Sequence, residues 1–157
     1  MSTSNYKSDA DKAREKLETV SPTMCLAKWN QTSLHLPTGK TNSCYHPPLH
    51  RISPDKLNYN PASLHNTAEK LQQRKEMLEG EKPEGCSYCW NIEKTGEMSD
   101  RHYRSGEPWA MQDFEDIRKN PIDEHWTPRY VEVNFNNACN LQCSYCSPQF
   151  STKWGQE

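Results

Sequence analysis

Cysteine is the residue type through which this sequence can do chemistry. The 157-residue chain holds seven, at Cys25, Cys44, Cys86, Cys89, Cys139, Cys143 and Cys146. An odd number, behind a start with no apolar stretch, argues against a disulfide framework and a secretory signal. Spacing divides the seven as three plus four. Cys139 to Cys146 reads C-x-x-x-C-x-x-C. Three thiolates from one short loop can hold three corners of a cubane iron–sulfur cluster, which usually takes four protein ligands. One iron is then left without a local ligand. An open metal position is where something else binds, as in catalytic rather than structural metal sites.

The remaining four fall into two pairs. Cys25 and Cys44 frame Gly39 as C-x13-G-x4-C, and Cys86 and Cys89 form C-x2-C. Brought together, they make a closed four-thiolate site, suited to a structural zinc or to a 4Fe–4S cluster.

The three-cysteine loop resembles that of the radical S-adenosylmethionine enzymes, whose motif is C-x-x-x-C-x-aromatic-C, with Tyr145 at the aromatic position. A period-two stretch over 130–135 precedes it, where that family has its first barrel strand. The Cys139-Asn140-Leu141 opening and the following run from Ser147 to Trp154 are similar to the SPASM/twitch branch. The resemblance implies that Cys139, Cys143 and Cys146 ligate a 4Fe–4S cluster. Its open iron would take the amino and carboxylate groups of S-adenosylmethionine, which is reductively cleaved to a radical that abstracts a substrate hydrogen. It also implies an electron donor such as a flavodoxin or ferredoxin. The C-x13-G-x4-C segment resembles the twitch accessory domain, which implies that Cys25, Cys44, Cys86 and Cys89 ligate an auxiliary 4Fe–4S cluster, with zinc the alternative. In the best-known members this domain follows the catalytic barrel. Here it precedes the loop, an order similar to phage-type twitch proteins. The activity of a non-catalytic zinc- or cluster-binding module, or of an iron–sulfur electron carrier, fits the same cysteines.

Composition narrows what can position these thiols. Only 32% of residues are hydrophobic and the mean hydropathy is -1.10, so a large apolar core is excluded and metal is expected to supply part of the folding free energy. Net charge is -2, which gives no basic footprint for nucleic acid. No apolar run is long enough for a membrane span, and a cytoplasmic setting is expected.

The expected fold is α+β: a small cysteine-rich, twitch-like β-hairpin/helix module, then the first strand and cluster loop of an incomplete radical S-adenosylmethionine α/β barrel. Residues 1–20 read as a polar tail or frayed helix, with a weak stripe of Ala10, Ala13 and Leu17. Residues 21–100 read as the auxiliary-cluster module, 101–128 as a connector with a helix around 109–119, and 129–157 as the start of the catalytic domain. The chain thus reads as the N-terminal portion of a larger enzyme. Within the module, 29–45 reads as a hairpin turning at 37–40. Residues 67–79 read as a helix capped by Asn66, with Glu69 completing a capping box, Ala68, Leu71 and Leu78 on one face, and Gly80 at the stop. His46 and His50 read as loop histidines rather than ligands. Glu93 and Arg101 read as a solvated pair, and Trp90, Trp109, Trp126 and Trp154 as packing residues.

Overall fold

Turn chemistry sets up the sheet. In this computed structural model, which describes residues 3–139, 143–148 and 151–154, β1 (Gln31–His35) and β2 (Lys40–Asn42) form the expected antiparallel hairpin. Between them a short 3-10 turn, Leu36–Thr38, ends on Gly39 at φ 61°, a left-handed conformation that glycine adopts without a Cβ penalty. β3 (His50–Arg51) extends the hairpin on its outer side. β4 (Tyr130–Asn134), the strand expected before the three-cysteine loop, pairs parallel with β1 from Gln31↔Tyr130 to His35↔Asn134. The sheet order is β3-β2-β1-β4. The architecture is therefore mixed α+β around a small mixed sheet.

Helices cover this sheet. α1 (Thr3–Glu18), α2 (Ala27–Asn30), α3 (Pro54–Tyr59) and α4 (Ala68–Leu78) precede the C-x-x-C segment. That segment spans a 3-10 turn, Glu84–Cys86, and α5 (Ser87–Glu93). α6 (Asp100–Gly106), α7 (Pro108–Met111) and α8 (Phe114–Lys119) follow. No helix among the described residues is long and apolar enough to cross a membrane.

Three expectations are corrected here. Residues 3–18 are a docked helix rather than a tail or frayed helix. Ala10, Ala13 and Leu17 are fully buried, and α1 lies so close to α6 that a Cβ on Gly106 would stand 3.0 Å from Asp9 O. Small residues on both sides permit that approach, so a stripe of three apolar residues suffices. The stretch 101–128 is likewise packed structure. Ala110, Phe114 and Ile117 share the core with Leu17, Met24, Leu26, Trp29, Met77 and Trp90.

The third correction concerns α4. Its N-cap is Thr67, whose hydroxyl accepts from the Lys70 N–H at 3.2 Å. Asn66 instead donates to the carbonyls of Glu124 and Trp126 and accepts from Arg74. The fully buried face of α4 is Lys70, Arg74 and Met77; of the expected apolar set Ala68 is exposed, Leu71 is half-buried, and Leu78 is half-buried against the core. Lys70 Nζ donates to the hydroxyls of Thr32 and Thr41 on the sheet at 2.7 and 2.9 Å. Gly80, at φ 81°, does close the helix, as expected.

Because α1 is core structure, Leu17→Ala is expected to destabilise the protein by about 2–5 kcal/mol, the range for emptying a packed leucine site. Urea denaturation followed by circular dichroism checks this; a mobile segment would give no change.

Candidate metal centre

Three separated segments converge on one cavity. Cys25 stands two residues before α2, and Cys44 two residues after β2, so the hairpin returns one toward the other. Cys86 closes the 3-10 turn and Cys89 lies in α5. All four line one small cavity, together with Lys28, Ser43, His46, Trp90 and Arg101. Cys25, Cys86 and Cys89 are each 7% exposed, and no disulfide joins any of the seven cysteines.

Burial pushes the Cys25 thiol up to about 12, helped by the negative potential of Cys44, Cys89 and Cys86 and opposed by Lys28. Cys89 is raised to about 11 by burial, while the Arg101 N–H and the Ser99 hydroxyl hold its sulfur down. Cys44 is raised by burial and countered by Lys28 and the His46 N–H. These thiols stay protonated without a cation in their midst, and metal binding must displace their protons.

The donor set suits a soft metal centre. Four thiols face an enclosed, mostly apolar space, and the buried Ser43 hydroxyl on its wall has no hydrogen-bond partner. A bound centre would give that hydroxyl an acceptor. Among the described residues, no group of three or more His, Cys, Asp or Glu side chains is placed to hold a single metal ion.

A buried brace holds the cavity. Arg101 forks onto Glu93, with Nε 2.9 Å from Oε1 and Nη2 2.8 Å from Oε2. Its Nη1 donates to Met24 O at 2.7 Å. Ser99 Oγ donates to Glu93 Oε1 at 2.6 Å. The Arg101 and Glu93 side chains are 4% and 17% exposed, so the expected solvated pair is in fact interior. Their eight-residue separation, across two helices, gave no periodic signal. His46 stacks on Tyr88 at 3.8 Å between ring centroids and pairs with Asp100 Oδ2 at 2.8 Å. His50 Nε2 meets Thr67 Oγ1 at 2.8 Å. Both are thus engaged in protein contacts. Lys28, Ser43 and Ser99 were not singled out from the sequence, and nothing in their spacing marks them.

The three-cysteine loop is built differently. Cys139 N–H donates to Thr152 Oγ1 at 3.2 Å, and Thr152 N–H to Asn137 O at 2.9 Å, which clips the loop's two ends together. Cys146 N–H donates to Cys143 O at 2.9 Å, so these two share one turn. Cys139, Cys143 and Cys146 are each partly exposed. Tyr145, at the aromatic position, is 91% exposed. A hydrogen bond with Cys143 raises its hydroxyl above the ordinary tyrosine range. Asn140, Leu141, Gln149 and Phe150, which carry part of the family resemblance, lie outside the described residues. None of the three cysteines lines the four-thiol cavity. Comparison with protein-family models, curated proteins and solved structures finds no match.

The brace is testable by pH. Burial pushes the Glu93 carboxyl up, but hydrogen bonds from Arg101 and Ser99 and the Arg101 charge outweigh it, so its net shift is below the ordinary 4.5. A depressed carboxyl stabilises the fold above its unfolded value, and that contribution is lost as pH falls through the lower folded value. Glu93→Gln should therefore cost about 3–5 kcal/mol near neutral pH by leaving Arg101 uncompensated. Below 4.5 the wild type should lose this advantage and the two stabilities converge, as read by denaturant titrations across pH.

Proposed function

We propose that this chain is an iron–sulfur protein of the radical S-adenosylmethionine kind, carrying a closed cluster on Cys25, Cys44, Cys86 and Cys89 and an open one on Cys139, Cys143 and Cys146. The observation that carries the reading is the convergence of four cysteines from three segments on one buried cavity. A fold with little apolar surface has no packing reason to gather four thiols from three segments there, whereas a tetrathiolate centre gives each a partner.

The open set supports the catalytic half of the reading. Its three thiols stand on a partly exposed loop at the end of a strand, clipped at its base by Thr152. When bound, an open cluster of this kind supplies the electron that cleaves S-adenosylmethionine to a hydrogen-abstracting radical. The protein's part is to hold the thiolates and leave one coordination position free. Tyr145 hydrogen-bonds Cys143 and so orients one thiol of the loop. In this reading β4 opens the catalytic domain, the substrate is reached from that domain, and an external flavodoxin- or ferredoxin-like donor supplies electrons.

Anaerobic reconstitution with iron and sulfide should give a brown protein with about eight irons per chain, two cubanes of four. Cys143→Ala should keep about four irons and the wild-type fold. Cys89→Ala should lose the other four and open residues 25–89 to limited proteolysis, since metal there is coupled to folding. Stoichiometric zinc with no charge-transfer absorption would instead support the non-catalytic zinc module.

A further inference from the structure

Three cationic side chains are among the most buried groups in the protein. Lys70 and Arg74 are 0% exposed and Lys28 is 2% exposed. None takes part in an ion pair with a carboxylate among the described residues. Their hydrogen bonds all go to neutral groups. Lys28 Nζ donates to Gln73 Oε1 at 2.7 Å, Lys70 to the two threonine hydroxyls, and Arg74 to Lys28 O and Asn66 Oδ1 at 3.2 and 2.8 Å. Hydrogen bonds satisfy the donors but not the charge, and an unpaired buried charge is costly. The cost shows at Lys70, pushed down to about 6 by burial, Arg74 and Lys28, and pulled back only by Cys44.

The Asp123 carboxylate offsets part of the Arg74 charge, and for the two lysines the nearest source of negative charge is the four-thiol cavity. Lys28 lines the four-thiol cavity and favours the thiolates of Cys25 and Cys44. Lys70 Nζ is hydrogen-bonded to Thr41 on β2, the strand that leads to Cys44, and the Cys44 charge is what favours its protonated form. The other charged groups at the cavity are already matched or opposed. Arg101 is held by Glu93, Asp100 is held by His46 and works against the Cys44 thiolate, and Arg104 lies over the Tyr45 ring. A metal centre with four thiolates is a net anion, and gaining an electron makes it more so.

We propose that Lys28 and Lys70 are built-in counter-charges of the four-thiolate centre, which favour an anionic occupant and raise its reduction potential. This rests on the cluster reading above. Two opposite consequences follow. In the metal-free protein a buried lysine either carries an uncompensated charge or, as Lys70 does, gives up its proton at a cost, so removing one stabilises. In the loaded protein the same removal weakens the grip on the occupant and lowers its reduction potential.

The test uses the full chain carrying Cys143→Ala, so that only the four-thiol centre is loaded with iron and sulfide. Lys28→Met, Lys70→Met and the charge-keeping Lys28→Arg are compared with this parent. Midpoint potentials come from dithionite titrations followed by electron paramagnetic resonance, and stabilities from denaturant curves with and without metal. At a fixed potential, each Met variant should cut the reduced-to-oxidised ratio about tenfold, which is about 59 mV for a one-electron couple. Lys28→Arg should hold the parent value. Metal-free Lys70→Met should unfold at higher denaturant than the parent and gain less on loading. A loaded centre with the same potential in the parent and both Met variants overturns this inference and leaves the cluster reading standing. A parent that takes up no iron on the four thiols overturns the cluster reading, and the inference with it.

Discussion

The four-thiol cavity depends on one guanidinium. Arg101, on α6, forks onto Glu93 at the end of α5 and donates to Met24 O, one residue before Cys25. Its own N–H reaches the Cys89 sulfur. One side chain and its backbone therefore fix the segment before the first cysteine, the helix bearing the last, and the helix that closes over both. The planar fork suits this role because it satisfies both carboxylate oxygens and still has a donor for the carbonyl. A lysine here would offer a point charge and no fixed geometry. Ser99 and the Trp90 ring, 5.4 Å from the guanidinium carbon, complete the enclosure.

That reliance on polar anchors follows from composition. With 32% hydrophobic residues, the chain cannot bury its elements on apolar area alone. The interior is correspondingly laced with directed bonds. Trp29 Nε1 donates to Pro121 O, Asn30 bridges Ala110 O and Asp113, and Arg129 forks onto Asp113 at 2.7 and 2.8 Å. These tie the start of the hairpin to the approach to β4, and so set the parallel β1–β4 pairing that delivers the three-cysteine loop. Such networks fix geometry more than they add stability.

Local chemistry made part of this readable in advance. The turn at 37–40 and the β-formers beside it gave the hairpin, period two gave β4, and cysteine spacing separated the four that converge from the three that do not. The α4 face was misread for a physical reason. Helical periodicity is sought in apolar residues, and α4 turns Lys70 and Arg74 inward, a choice rare without a partner charge. α1 was underestimated because small residues, Ala10, Ala13 and Gly106, bury little area individually yet allow close approach of two helices. The Glu93–Arg101 brace joins residues in different helices, and no one-dimensional pattern announces such a pair.

The two thiol sets differ in what surrounds them, and that difference bears on what each can do. The four-thiol cavity is walled by Trp90, by His46, which stacks on Tyr88, and by the buried cations Lys28 and Arg101, so its interior is shielded from water and lies in a field of fixed sign. Such a field acts on charge, and therefore on redox state, more than on chemistry at a ligand. The three-cysteine loop has no such wall among the described residues. Tyr145 points outward and the thiols are partly exposed. Its surroundings leave access to a small molecule, which a closed site excludes. One chain thus separates a shielded set of four thiols from an accessible set of three. The parallel β1–β4 pair links them, since β1 begins just after Cys25 and β4 ends just before Cys139.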